Sequence, residues 1–130
     1  MRNRYSELVR RHFANPVHAG HLPDEYDDAV TGEAAESGPG MRVILSAVAD
    51  GDTIRLLRYR VFGCPHLIAA SEAFCAVTEG KSVSALTAMD VDGLMERLEI
   101  PMEKTGRVFI LEDAANTLHI ALTATTTTED

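Results

Sequence analysis

Apolar residues recur along the chain in two periods, and the changes of period mark out its elements. Near the start, Tyr5, Leu8, Val9, His12 and Phe13 follow the i, i+3, i+4 spacing of an amphipathic helix, and Asn15-Pro16 supplies the stop. From His18 to Gly40 the pattern lapses. Pro23, Asp24, Glu25, Asp27, Asp28, Gly32, Gly38, Pro39 and Gly40 read as loop, with a short edge strand predicted near Ala29 to Ala34. A period of two then takes over: Val43, Leu45 and Ala47 alternate with Arg42, Ile44 and Ser46. Asp50-Gly51-Asp52 turns the chain, and Leu57, Tyr59 and Val61 alternate with Arg58 and Arg60, which predicts a β-hairpin.

After Gly63 the period becomes helical. One helix is predicted from Pro65 to Thr78, broken by Gly80-Lys81, and a short one capped by Ser82 carries Leu86. Asp90 caps another, whose inner stripe is Val91, Leu94, Met95 and Leu98, with Pro101 as its stop. The last runs from about Arg107 to Leu122, with Leu111, Ala114, Ala115, Leu118 and Leu122 on one face. Thr125 to Asp130 lacks apolar anchors and is predicted to be a disordered tail. The expected fold is α+β: one domain over residues 1–124, in which a small antiparallel sheet of about three strands packs against several helices.

Composition narrows the function classes. The chain has 130 residues, 45% of them apolar, enough for a single core, and a net charge of −8. With no basic patch to offset that field, neither nucleic acid nor an anionic membrane is expected as a partner. No stretch has the length of a membrane span, and Glu7 interrupts the segment where a signal peptide would have its apolar centre, so a cytoplasmic protein is expected. No nucleophile–base pair, phosphate loop or carboxylate dyad has convincing spacing, so no enzyme is expected.

The two cysteines carry the candidate chemistry. On one helix they would stand roughly 16 Å apart, beyond the disulfide reach of about 7 Å, so both are expected as free thiols. Cys75 shares a stripe with Leu67, Ser71 and Phe74 and reads as a small buried hydrophobe. Cys64 lies in Phe62-Gly63-Cys64-Pro65-His66, between a strand and a helix. Pro65 suits the first helical position, which puts Cys64 at the cap, where the positive end of the helix dipole favours thiolate. The plainer explanation of Cys64 is a small residue tucked between strand and helix. Of the histidines, His66 is expected to be solvated on an exposed first turn and His12 to lie in the core, while His18, His21 and His119 show no ligand spacing.

Tyr5, Val9, His12, Asn15-Pro16 and Gly20 come in order. They are followed by Phe62-Gly63-Cys64, Ile68-Ala69-Ala70-Ser71, Gly80-Lys81, Ile100-Pro101 and Glu112-Asp113-Ala114. This series resembles the NifU-like, or IscU-like, iron-sulfur cluster assembly scaffold over nearly the whole chain. The resemblance implies the SufE/NifU-like α+β fold. It also implies a [2Fe-2S] cluster built on three cysteines with a nearby Asp and His, using sulfur from a cysteine desulfurase.

Against that family pattern, Pro39-Gly40-Met41 stands where Cys-Gly-Asp is found, and Gly106-Arg107 where His-Cys is found. Of the implied ligands Cys64 remains, with His66 a weak further candidate for a metal. Arg107 would place a fixed positive charge at the vacated site, so an iron-sulfur cluster or zinc, implied by the family, is not expected to be held stably by one subunit. The family's Leu-Pro-Pro-Val-Lys segment, read by a heat-shock chaperone, is here Ile100-Pro101-Met102-Glu103-Lys104. Glu103 puts a hydrated acid where an apolar residue would enter the chaperone's groove.

Three functions stay open on these residues. The chain, a monomer or weak dimer, is a scaffold that completes its ligands across two copies. Alternatively, it accepts persulfide sulfur on Cys64 from a desulfurase or another assembly protein. In the third case it is a non-catalytic regulator or decoy of the assembly machinery, with Cys64 structural.

Overall fold

The computed structural model describes residues 7–14, 16–23, 26–36 and 40–127. Helix α1 (Glu7–Ala14) is followed by strands β1 (Val30–Ala35), β2 (Arg42–Asp50) and β3 (Thr53–Phe62). Helix α2 (Pro65–Thr78), a 3-10 turn (Val83–Thr87), helix α3 (Val91–Leu98), a second 3-10 turn (Met102–Lys104) and helix α4 (Thr105–Thr127) complete the order. The strands form one antiparallel sheet in the order β1-β2-β3. This is the α+β architecture that the change of period predicts.

The alternation in β2 and β3 becomes a shared face because the register sets Val43 opposite Val61, Leu45 opposite Tyr59 and Ala47 opposite Leu57. All but Val61 of these are buried, and Val61 packs on the core's margin. Across that face lies α4, whose Leu111, Ala114, Ala115, Leu118 and Leu122 are buried as its spacing predicts. The approach to β1 is close: a Cβ added at Gly32 would collide with the backbone of Leu118. Helix α2 packs on β3 and on α1. Because it is enclosed on nearly every side, even its polar His66, Ser71, Glu72 and Thr78 are buried.

Helix ends follow local chemistry, with four departures from expectation. Asp90 does cap α3, accepting the Gly93 N–H at 3.0 Å. Ser82 stands at the cap position of the Val83–Thr87 turn, but its hydroxyl makes no cap bond and pairs instead with Ser84 Oγ at 2.7 Å. Pro101 is not the stop of α3, which has already ended where Glu99 turns left-handed (φ 55°); Pro101 opens the Met102–Lys104 turn. Helix α4 begins two residues before Arg107 and continues past Leu122 to Thr127, so the first three residues of the predicted disordered tail have helical backbone. Extending a formed helix adds one hydrogen bond per residue, whereas only its nucleus is costly. Residues 128–130 lie outside the described residues, as do Tyr5 and Pro39. No helix among the described residues is long and apolar enough to cross a membrane.

Candidate functional site

Strand β3 ends at Phe62, Gly63 makes the bend, and Cys64 caps α2 with extended backbone (φ −86°, ψ 164°), Pro65 occupying the first turn. The Cys64 carbonyl accepts the N–H groups of Leu67 (3.0 Å) and Ile68 (3.2 Å), while its side chain makes no capping bond. The thiol is half-buried at the edge of the core. It is therefore held at a fixed junction without being spent on local structure. Cys75 is fully buried in α2, and burial, followed by the nearby Glu72 and Glu79, raises its thiol's pKa well above the usual range. That is the inert hydrophobe its stripe predicts.

Met41 and Arg107, at positions where the resemblance implies ligands, both bear on the residues of this junction. Met41 leads into β2, and its Sδ lies 2.6 Å from where a Cβ on Gly63 would sit, so Gly63 is the space into which the thioether packs. Gly40 before it has φ +95°, a left-handed turn that favours glycine. Arg107, in the first turn of α4, makes itself felt at His66. Burial first, then the charges on Lys104 and Arg107, lower the His66 pKa. Gly106 beside it is exposed and faces open space.

His66 itself corrects an expectation. It is 4% exposed, not solvated, because α2 turns its first-turn side chain toward the segment that starts α4. His12 is half-buried, and burial is the main cause that lowers its pKa. In the remnant of the chaperone segment, Ile100 is buried, Pro101 is exposed and Lys104 is half-buried. Among the described residues, no three His, Cys, Asp or Glu side chains converge into a set that could hold a metal ion.

A second constellation is assembled by the fold from residues far apart in the sequence. His18, in the segment after α1, places Nδ1 2.6 Å from Glu72 Oε2 and Nε2 3.2 Å from Glu79 Oε1, and its backbone N–H donates to Glu72 Oε1 at 2.8 Å. The other Glu79 oxygen accepts from Arg58 Nη1 (2.7 Å) and from the Leu57 N–H (2.9 Å). Burial alone would raise the Glu79 pKa, but those donors outweigh it and hold the carboxyl below its usual value. The buried Tyr59 hydroxyl has no hydrogen bond of regular geometry; burial, then the Glu72 carboxylate, raise its pKa. Only Glu72, a charged residue in an apolar helix, hints at this network in the sequence.

A three-stranded antiparallel sheet packed under helices is the fold this chain shares with NifU-like and other scaffold proteins of known structure. Residues 4–125 match the model of the NifU-like N-terminal domain, and the chain belongs to that family. It is 28% identical over 113 residues to "Iron sulfur cluster assembly protein 1" of Trachipleistophora hominis, covering 87% of this chain and 82% of that protein. To the "Iron-sulfur cluster assembly scaffold protein IscU" of Aquifex aeolicus (strain VF5) it is 28% identical, covering 91% of this chain and 73% of the other. Among solved structures, a candidate iron-sulfur cluster assembly scaffold protein for the SUF system from Fervidobacterium islandicum AW-1 shares the fold. Its TM-score is 0.60 at 22% identity, over 91% of this chain and 96% of that one.

Proposed function

We propose that this chain works in iron-sulfur cluster assembly as a divergent, non-enzymatic scaffold-family protein that contacts a cysteine desulfurase or another assembly protein and accepts sulfur on Cys64. Family membership and the relatives' names support the process. The observation that carries the step is Cys64 itself: a half-buried thiol at a rigid cap, free of local hydrogen-bonding duty, where the family resemblance puts a ligand cysteine.

Here a cluster or zinc ion is cargo, and the residues around Cys64 do not fit it. Four donors are needed, mostly thiolates for a cluster. Cys64 and the buried His66 supply two at most, while Met41 offers a soft thioether and Arg107 and Lys104 add positive charge. Sulfur transfer needs only one thiol. In the step, the Cys64 thiolate attacks the outer sulfur of a donor persulfide. The donor's S–S bond breaks as the new S–S bond to Cys64 forms, the donor cysteine leaves as thiolate, and no external oxidant is required. Free cysteines suit a reducing compartment such as the cytoplasm. A monomer or weak dimer suffices for the transfer.

The test is mass spectrometry of the chain after incubation with a cysteine desulfurase and cysteine. The expected result is a gain of one sulfur atom on the peptide holding Cys64, absent in Cys64→Ser. No gain, or a gain that persists in Cys64→Ser, overturns the proposal and leaves a regulatory binding protein as the alternative.

A further inference from the structure

The end of α2 remote from Cys64 carries a feature that sulfur transfer does not use. A cavity of about 420 Å³ opens between the last turns of α2, the Val83–Thr87 turn and α3. That volume is in the range of small-molecule sites. Thr78, on its wall, lies about 20 Å along the helix from Cys64, so the two places are separate. The floor is apolar. Phe74 and Leu94 are buried there, Met89 is half-buried, and Val77, which also lines the cavity, is half exposed. Hydrocarbon laid on such a surface is removed from water at a gain in free energy.

The polar groups in the wall are mostly donors. Lys81 and Arg97 are exposed and belong to no ion pair among the described residues. Lys81 Nζ donates to the Val77 carbonyl at 3.1 Å, which offsets the partial negative charge at the end of α2 and leaves its other N–H groups to a ligand. Thr78 is 3% exposed, yet its hydroxyl makes no hydrogen bond among the described residues, unlike Ser71 on the same helix, which bonds back to the Leu67 carbonyl at 2.9 Å. Nor is that hydroxyl sealed in the core, so the cavity is where it opens. The one carboxylate in the wall, Asp90, is engaged in capping α3. Two cations against one carboxylate make this wall locally positive on a chain whose net charge is −8.

We propose that the cavity binds a small amphipathic monocarboxylate. Its hydrocarbon lies on Phe74, Val77 and Leu94, and its carboxylate is held by Arg97 and Lys81, with Thr78 donating a further hydrogen bond. A guanidinium and an ammonium together match one carboxylate. The second negative charge of a phosphate monoester would meet Asp90. A large acidic partner would meet the field of the whole chain, whereas a ligand that fits the cavity feels chiefly its wall, since exposed charges beyond roughly 8 Å are screened at physiological salt. By bridging α2 and α3 the ligand stabilises the fold as its concentration passes Kd.

Nuclear magnetic resonance of the full chain, titrated with octanoate below its micelle concentration, tests this. The expected result is saturable shifts centred on the amides of Thr78, Lys81, Ala88 and Gly93, with the Cys64 amide unmoved. Octylammonium, which keeps the tail and reverses the charge, is expected to bind about tenfold more weakly or worse. In the double variant Lys81→Gln/Arg97→Gln, octanoate is expected to lose about tenfold or more in affinity while octylammonium loses none. Both side chains are exposed, so the variant keeps the fold. The proposal is overturned if no saturable shift arises at the cavity, if the shifts spread over the surface, if octylammonium binds as tightly as octanoate, or if the double variant binds octanoate unchanged. The comparison of the two probes on the wild-type chain decides by itself.

Discussion

Glu79 shows how much a single side chain carries when its partners come from β3 and from the segment after α1. One oxygen takes the Leu57 N–H and the Arg58 guanidinium, and the other faces the His18 ring. Its carboxyl binds a proton less readily when folded than the ordinary 4.5. Its stabilisation is therefore present above that value and is lost as pH falls through the lower folded value. Glu79→Gln is expected to lower stability by about 1–3 kcal/mol at neutral pH, with the gap to wild type closing below pH 4.5. Urea unfolding at a series of pH values checks it; a gap that stays constant into acid contradicts the assignment. At this scale Cys64 was legible, because Gly-Cys-Pro between a strand period and a helix period names a cap. His18 was not, since Glu72 and Glu79 stand 54 and 61 residues further on and no local spacing connects them. The burial of His66 was hidden for the same reason: the residues that shift it, Lys104 and Arg107, belong to another element.

Among the elements, the packing of α4 on β1 sets the tightest steric condition. Gly32 meets the Leu118 backbone, which cannot move aside as a flexible side-chain tip can. Gly32→Ala is expected to destabilise the fold by about 1–3 kcal/mol or more, as overpacking does, and to loosen β1 first. Thermal unfolding together with exchange of the β1 amides measures this, and an unchanged midpoint would show that α4 shifts freely over the strand. The hairpin, α2 and the buried stripe of α4 were readable because alternation and the 3.6-residue period are local signals. Gly32 looked like one more loop glycine, since its constraint comes from a helix that starts some seventy residues later. The reach of α4 to Thr127 was missed because threonine gives no apolar stripe, although its hydroxyls can bond back to the helix, as Thr123 Oγ1 does to the His119 carbonyl at 3.0 Å.

For the whole molecule, a family fold surrounds a junction that offers a single thiol. The three-stranded sheet brings Met41 against Gly63, and the start of α4 brings Arg107 to bear on His66; among the described residues no group of three donors forms a metal site. A fixed guanidinium charge in such a place opposes a bound cation, in keeping with the proposed sulfur acceptor. The most direct measurement is iron, zinc and acid-labile sulfide content of the freshly purified chain, wild type beside Cys64→Ser. The account predicts sub-stoichiometric metal in both samples; stoichiometric metal in the wild type that disappears with the Cys64 sulfur would contradict it.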